Sequence, residues 1–124
     1  MSLVLDAGAL IAVDRADRAT AAIIEAARLD RRTVIIPAGV VGQVWREGGR
    51  QARLARVLRA RDVVIEPLTD AEARAAGVLC GRADTSDVVD ASVVIAARRH
   101  RATVLTSDRH DLEALDPSIP LVDC

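Results

Sequence analysis

The 124-residue chain has no lysine, no tyrosine and no phenylalanine, and Trp45 is its single aromatic side chain. Without lysine there is no Gly-x-x-x-x-Gly-Lys phosphate loop, and no Gly-x-Ser-x-Gly turn presents a serine nucleophile, so neither nucleotide hydrolysis on a P-loop nor serine esterase chemistry fits. Histidine is scarce. His100 and His110 both lie beside charged residues in segments that read as surface, which argues against a histidine acid–base pair. Cys80 and Cys124 lie far apart, with neither the spacing of a zinc site nor that of a redox pair, and free thiols are expected. No apolar run approaches the roughly 20 residues of a membrane span, so no membrane partner is expected. Met1 and Ser2 lead directly into Leu3-Val4-Leu5, leaving no room for a charged leader and an apolar h-region, and the expectation is a cytoplasmic protein.

What is present suits one compact unit. Hydrophobic residues make up 51% of the chain and charged residues 28%, a balance that excludes disorder, and the length suits a single domain over residues 1–124. Every cation is an arginine, which favours bidentate contact with phosphate; a codon usage rich in Arg and Ala is the plainer account. At a net charge of −1, any nucleic-acid contact has to come from a local patch.

Short β-rich runs alternate with longer helical stretches. Strands are predicted at Leu3–Leu5, Thr33–Ile36, Val63–Glu66, Thr103–Leu105 and Leu121–Val122, and helices at Ala19–Leu29, Asp70–Leu79 and Val88–Arg99. This alternation implies an α/β fold with a parallel sheet wrapped by helices. Pro37 and Gly39 mark the exit from the second strand, Pro67 stops the third, and Gly48-Gly49 break or kink a helix. Beyond Gly49, Leu54, Val57 and Leu58 form an apolar stripe opposite Arg50, Arg53, Arg56 and Arg59. The arginine row reads either as a solvated face or as a rail for RNA phosphates.

The chemistry lies in the carboxylates. In open α/β sheets ligands bind beyond the carboxyl ends of the strands, and both of the clearest strands end in acid. Leu3-Val4-Leu5 runs into Asp6, and Thr103-Val104-Leu105 runs through Thr106-Ser107 into Asp108. Asp87 and Asp90 open the helix Val88–Arg99, close to one helical turn apart. Each aspartate alone reads as a helix N-cap, and Asp87 with Asp90, like Asp108 with Asp111, has the spacing of a capping box; for Asp87 and Asp111 capping alone is the alternative reading. Together, the acidic positions repel one another unless a cation sits among them, and a hard divalent ion is the simplest answer. Metal-assisted hydrolysis is the chemistry left standing.

Val4-Leu5-Asp6-Ala7, the stretch from Pro37 to Trp45, the segment 87–97 and Leu105-Thr106-Ser107-Asp108 together resemble the PIN domain, and within it the VapC-type toxins of prokaryotic toxin–antitoxin pairs. The resemblance spans essentially the whole chain. It implies a PIN-like three-layer α/β fold with a five-stranded parallel sheet flanked by helices, and an endoribonuclease dependent on Mg²⁺ or Mn²⁺. By the same resemblance Asp6, Asp90 and Asp108 are metal ligands and catalytic residues, Asp87 a further metal ligand, Asp111 an accessory, and the Thr106 hydroxyl orients the carboxylates or a water. Members of the family commonly form homodimers and are held inactive by a cognate antitoxin protein, so RNA substrate, antitoxin and a second copy are the implied partners. One position departs from the pattern: where the family usually has a glutamate on the helix after the second strand, this chain has Gln43. By position Gln43 is still counted with the catalytic residues: a neutral amide offers a carbonyl oxygen to a metal or its waters but removes one negative charge and should lower metal affinity, and Glu47, one turn further on, is the alternative carboxylate. Gln43 therefore also favours a second reading, a PIN-like module that binds RNA or a protein partner without cutting. Trp45 reads as a core or dimer-interface residue, or as a platform for stacking on RNA bases. A phosphoacceptor receiver domain has similar length and alternation, but a single Asp ends the first strand and the lysine expected after the last strand is missing.

Overall fold

A computed structural model describes residues 2–124. Five strands, β1 (Ser2–Leu5), β2 (Thr33–Pro37), β3 (Val63–Glu66), β4 (Thr103–Thr106) and β5 (Leu121–Asp123), form one sheet in the order β3-β2-β1-β4-β5. Every neighbouring pair is parallel. Seven α-helices connect them: α1 (Ala7–Asp14), α2 (Arg18–Leu29), α3 (Ala38–Val44), α4 (Ala52–Leu58), α5 (Asp70–Ala83), α6 (Val88–His100) and α7 (Arg109–Leu115), with a 3₁₀ turn at Gly48–Arg50. This is the α/β architecture expected from the alternation.

The central strands are apolar on both faces because both faces are covered. Val4, Leu5, Val34, Ile36, Val104 and Leu105 are all fully buried. On the edge strand β3, by contrast, Val64 and Ile65 stay exposed. Helix α6 lies on β1 and β2 and against α5, and its inward side is built from small or β-branched residues, Ala91, Ser92, Val93, Val94, Ala96 and Ala97, which allow close approach.

Local chemistry sets several boundaries. Pro67 follows the last residue of β3, and the Thr69 hydroxyl caps α5 by accepting the Glu72 amide at 3.2 Å. Helices α5 and α6 end on left-handed residues, Asp84 and Arg101. Helix α3 ends at Val44, before the two glycines. Gln51 closes the loop that follows: its Nε2 donates to the Val44 carbonyl at 2.8 Å, and its Oε1 accepts the amides of Arg46 at 2.9 Å and Glu47 at 3.1 Å. Glu47 is therefore off the helix, exposed and 3.8 Å from Arg50.

His100 also differs from the surface position read in the sequence. Its Nε2 lies 2.7 Å from Glu66 at the end of β3, and Arg99 joins Glu66 and Glu72 in the same ion cluster. His110 is exposed. No helix among the described residues is long and apolar enough to cross a membrane.

Candidate metal centre

The strand order reverses between β1 and β4: the chain leaves β1 toward β2 and β3 on one side, and later leaves β4 toward β5 on the other. The carboxyl ends of those two strands form the crevice in which α/β sheets bind ligands. Asp6 and Asp108 stand there.

Asp6 is 2% exposed. As N-cap of α1 it accepts the Ala9 amide on Oδ1 at 2.9 Å, while the Thr106 hydroxyl donates to its Oδ2. Burial pushes its carboxyl above the usual aspartate range; the bonds from Thr106 and Ala9 oppose the shift, and the charge of Asp108 adds to it. Both carboxylate oxygens of Asp6 are therefore held in place by hydrogen bonds. Thr106, fully buried, also accepts the Asp108 amide on Oγ1 at 2.8 Å. One hydroxyl thus ties the two acidic residues together. Asp108 begins α7 but makes no side-chain capping bond, so its exposed carboxylate is not used up as a cap.

The second acidic group comes from α6. Asp87 caps this helix by accepting the Asp90 amide on Oδ1 at 2.9 Å, and its own amide donates to Thr85 Oγ1 at 3.2 Å. Asp90, half-buried one turn on, has its carboxyl raised from 3.8 to about 7, first by burial, then by Asp87, then by the charges of Asp108 and Asp111. Asp87, Asp90 and Asp111 share a cavity of about 180 Å³ with Ala83, Thr85, Ala114 and Leu115. The charge of Asp108 adds to the raised carboxyls of both Asp6 and Asp90.

Among the described residues no group of three or more His, Cys, Asp or Glu side chains is placed to hold a metal ion by itself. The donor set nonetheless fits a hydrated hard cation. Every candidate ligand is an oxygen, burial and then the neighbouring carboxylates disfavour a bare negative charge on Asp90, and Mg²⁺ keeps several of its waters while engaging only one or two carboxylates.

Gln43 is exposed on α3 and makes no hydrogen bond to these carboxylates among the described residues. Trp45 is 39% exposed, outside the core, and lines an apolar groove with Val41, Ala55, Leu58 and Arg59. The arginine row divides: Arg59 belongs to that groove, Arg53 and Arg56 border another between α2 and α4, and Arg50 lies by Glu47. Sequence reasoning missed Gly8 and Ser107. The Gly8 backbone lies against Ser107 so closely that a methyl group built on it would reach 1.7 Å from Ser107 Oγ. A glycine in the first turn of a helix was the available signal.

No family model and no curated protein sequence matches the chain. Solved structures do. The VapBC2 structure from Rickettsia felis, bound to a DNA fragment from its promoter, superposes at a TM-score of 0.73 with 15% identity, covering 100% of this chain and 99% of that one. VapC20 of Mycobacterium tuberculosis, a toxin that cleaves the sarcin–ricin loop, gives 0.66 with 20% identity over 89% of this chain and 94% of that one. FitAcB from Neisseria gonorrhoeae gives 0.67 with 18% identity over 96% and 95%. At such identities the likeness is one of fold, and the chain has the PIN-type fold of these structures.

Proposed function

We propose that the protein is an endoribonuclease dependent on Mg²⁺ or Mn²⁺ and the toxin of a toxin–antitoxin pair. The observation that carries this reading is the placement of Asp6 and Asp108 after two adjacent parallel strands, where the strand order reverses, with the Thr106 hydroxyl bonded to both residues. The fold shared with VapC20, a toxin that cleaves RNA, supports the substrate class, and the VapBC2 assembly supports a cognate antitoxin as partner. A homodimer is proposed on the family resemblance alone.

In this reading Asp6, Asp90 and Asp108 hold the cation, with Asp87 beside them. When bound, the cation would activate water and neutralise charge developing on the phosphate. Thr106 fixes the Asp6 carboxylate in one orientation and sets the Asp108 amide against the same oxygen, so both acids are positioned before substrate arrives. With its carboxyl raised to about 7, Asp90 is only partly ionised near neutral pH, and a bound cation would favour its charged form. Single-stranded or looped RNA offers the exposed phosphates that such an open acidic crevice can reach.

Gln43 favours a second reading, a module of the same fold that binds RNA or a partner without cutting, because α3 contributes no carboxylate at that position. Incubating purified protein with mixed cellular RNA, in Mn²⁺ and in EDTA, with Asp6→Asn alongside, separates the two. Metal-dependent cutting that disappears in the variant is the expected result. RNA binding with no cutting under any condition would install the second reading.

A further inference from the structure

We propose that Gly8 is a positioning residue for the acidic site: its missing side chain lets Ser107 seat against the first turn of α1, and that contact sets where the β4–α7 turn carries Asp108 relative to Asp6. The inference rests on the reading of Asp6 and Asp108 as partners in one hydrolytic site.

Three observations support it. A Cβ at Gly8 would stand 1.7 Å from Ser107 Oγ, 2.7 Å from Ser107 Cβ and 3.2 Å from the Ser107 amide nitrogen. Rotation about χ1 moves the hydroxyl out of the way but not Cβ or nitrogen, so a side chain at position 8 forces the backbone of residue 107 to retreat. Glycine is not needed there for conformation, since no glycine among the described residues has a positive φ, and within a helix alanine is the better residue. What position 8 requires is close approach. Finally, β1 and β4 stay paired only as far as Leu5 beside Leu105, with the Asp6 amide donating to the Leu105 carbonyl at 3.2 Å. Beyond that point the Thr106 hydroxyl and the Gly8–Ser107 contact govern how the two segments diverge, and Ser107 is bonded directly to Asp108. A retreat of Ser107 pulls the Asp108 amide away from Thr106 Oγ1 and the Asp108 carboxylate away from Asp6.

The test uses Gly8→Ala, Ser107→Gly and the double variant Gly8→Ala/Ser107→Gly in the full chain. Thermal unfolding checks that each is folded. Gly8→Ala is expected to slow cleavage of RNA by between about tenfold and a hundredfold, in kcat rather than KM, with Mn²⁺ binding weakened in parallel. The double variant, in which the added methyl group meets no side chain, is expected to recover most of both, judged against Ser107→Gly alone. Hydrogen exchange at the Asp108 amide, followed by NMR without metal, should speed up in Gly8→Ala and slow again in the double variant. Unchanged exchange at Asp108 in folded Gly8→Ala, or a double variant no better than the single, overturns the proposal. Wild-type protein that neither binds Mn²⁺ nor cuts RNA overturns the nuclease reading instead, and the exchange measurement then decides the role of Gly8 by itself. Should Gly8→Ala fail to fold, recovery of folding together with slow Asp108 exchange in the double variant supports the contact, and its absence overturns it.

Discussion

Thr106 concentrates the site's organisation in one atom. Its buried Oγ1 donates a hydrogen bond to Asp6 Oδ2 and accepts one from the Asp108 amide, so replacing the hydroxyl by a methyl group leaves two polar groups without a partner. Leaving buried donors or acceptors unpaired costs about 1–3 kcal/mol. Thr106→Val, which keeps the shape, is therefore expected to lose stability of that order in urea unfolding and to cut RNA far more slowly, while Thr106→Ser keeps both. A Thr106→Val protein as stable and active as the parent would remove the hydroxyl from the account. Strand β4 is recognisable from Thr103-Val104-Leu105 alone, and the acid that follows it is visible too. That Thr106 reaches an aspartate one hundred residues away is not, because that bond depends on β4 lying beside β1.

At the level of elements, α6 matters most: its first turn holds Asp90 and its far end stops on Arg101 at φ 50°. A left-handed conformation strains any residue with a Cβ, and Arg101→Gly should stabilise the protein by up to about 1 kcal/mol. The check is a raised Tm with Mn²⁺ binding unchanged, since the substitution lies at the opposite end of the helix from Asp90; a lowered Tm would mean that Arg101 makes a contact worth more than the strain. Helices α2, α5 and α6 show in the sequence because each has one apolar side and one polar side. Helix α1 does not, since Ala7 through Val13 is apolar all round and gives no 3.6-residue alternation. The predicted end of α5 at Leu79 falls short of Ala83 because the stop signal is Asp84 in a left-handed conformation, where glycine is the usual marker.

For the molecule as a whole, the crowding of aspartates links stability to pH and to metal. Asp90 has its carboxyl raised from 3.8 to about 7, so between those values the native state binds more protons than the unfolded state and stability falls as pH rises. Aspartates with lowered carboxyls, Asp116 held by Ser118 and then Arg98, and Asp17 held by Thr20, act the other way and lose their contribution only below about pH 4. The metal-free protein should therefore melt highest near pH 4–5 and lower at pH 8. Asp90→Asn should flatten that decline and stabilise the protein at pH 8 by on the order of 1 kcal/mol once solvent screening is allowed for, read as a higher Tm. A metal-free Tm that climbs steadily from pH 5 to 8 would contradict the assignment. Mn²⁺ should reverse the decline: a ligand binding only the native state adds about 2.7 kcal/mol at one hundred times its Kd, raising the Tm in a dose-dependent way at pH 8 and much less at pH 5, where protons compete for Asp90. Saturating Mn²⁺ with no effect on the Tm at pH 8 would leave the metal centre unsupported.

Sequence alone determined the features that depend on neighbours along the chain. Apolar runs bounded by turn residues gave the five strands, and acid immediately after a strand marked Asp6 and Asp108 as candidates whatever the topology. The strand order, by contrast, is a property of the packed sheet, and only it decides that β1 and β4 are adjacent and that their ends open one crevice. The same holds for the cluster of Glu66, Glu72, Arg99 and His100, for Glu47 turned away by Gln51, and for Gly8 pressed against Ser107. Each is a contact between segments far apart in the chain or shaped by a loop closure, and composition and periodicity carry information only about what lies within a few residues.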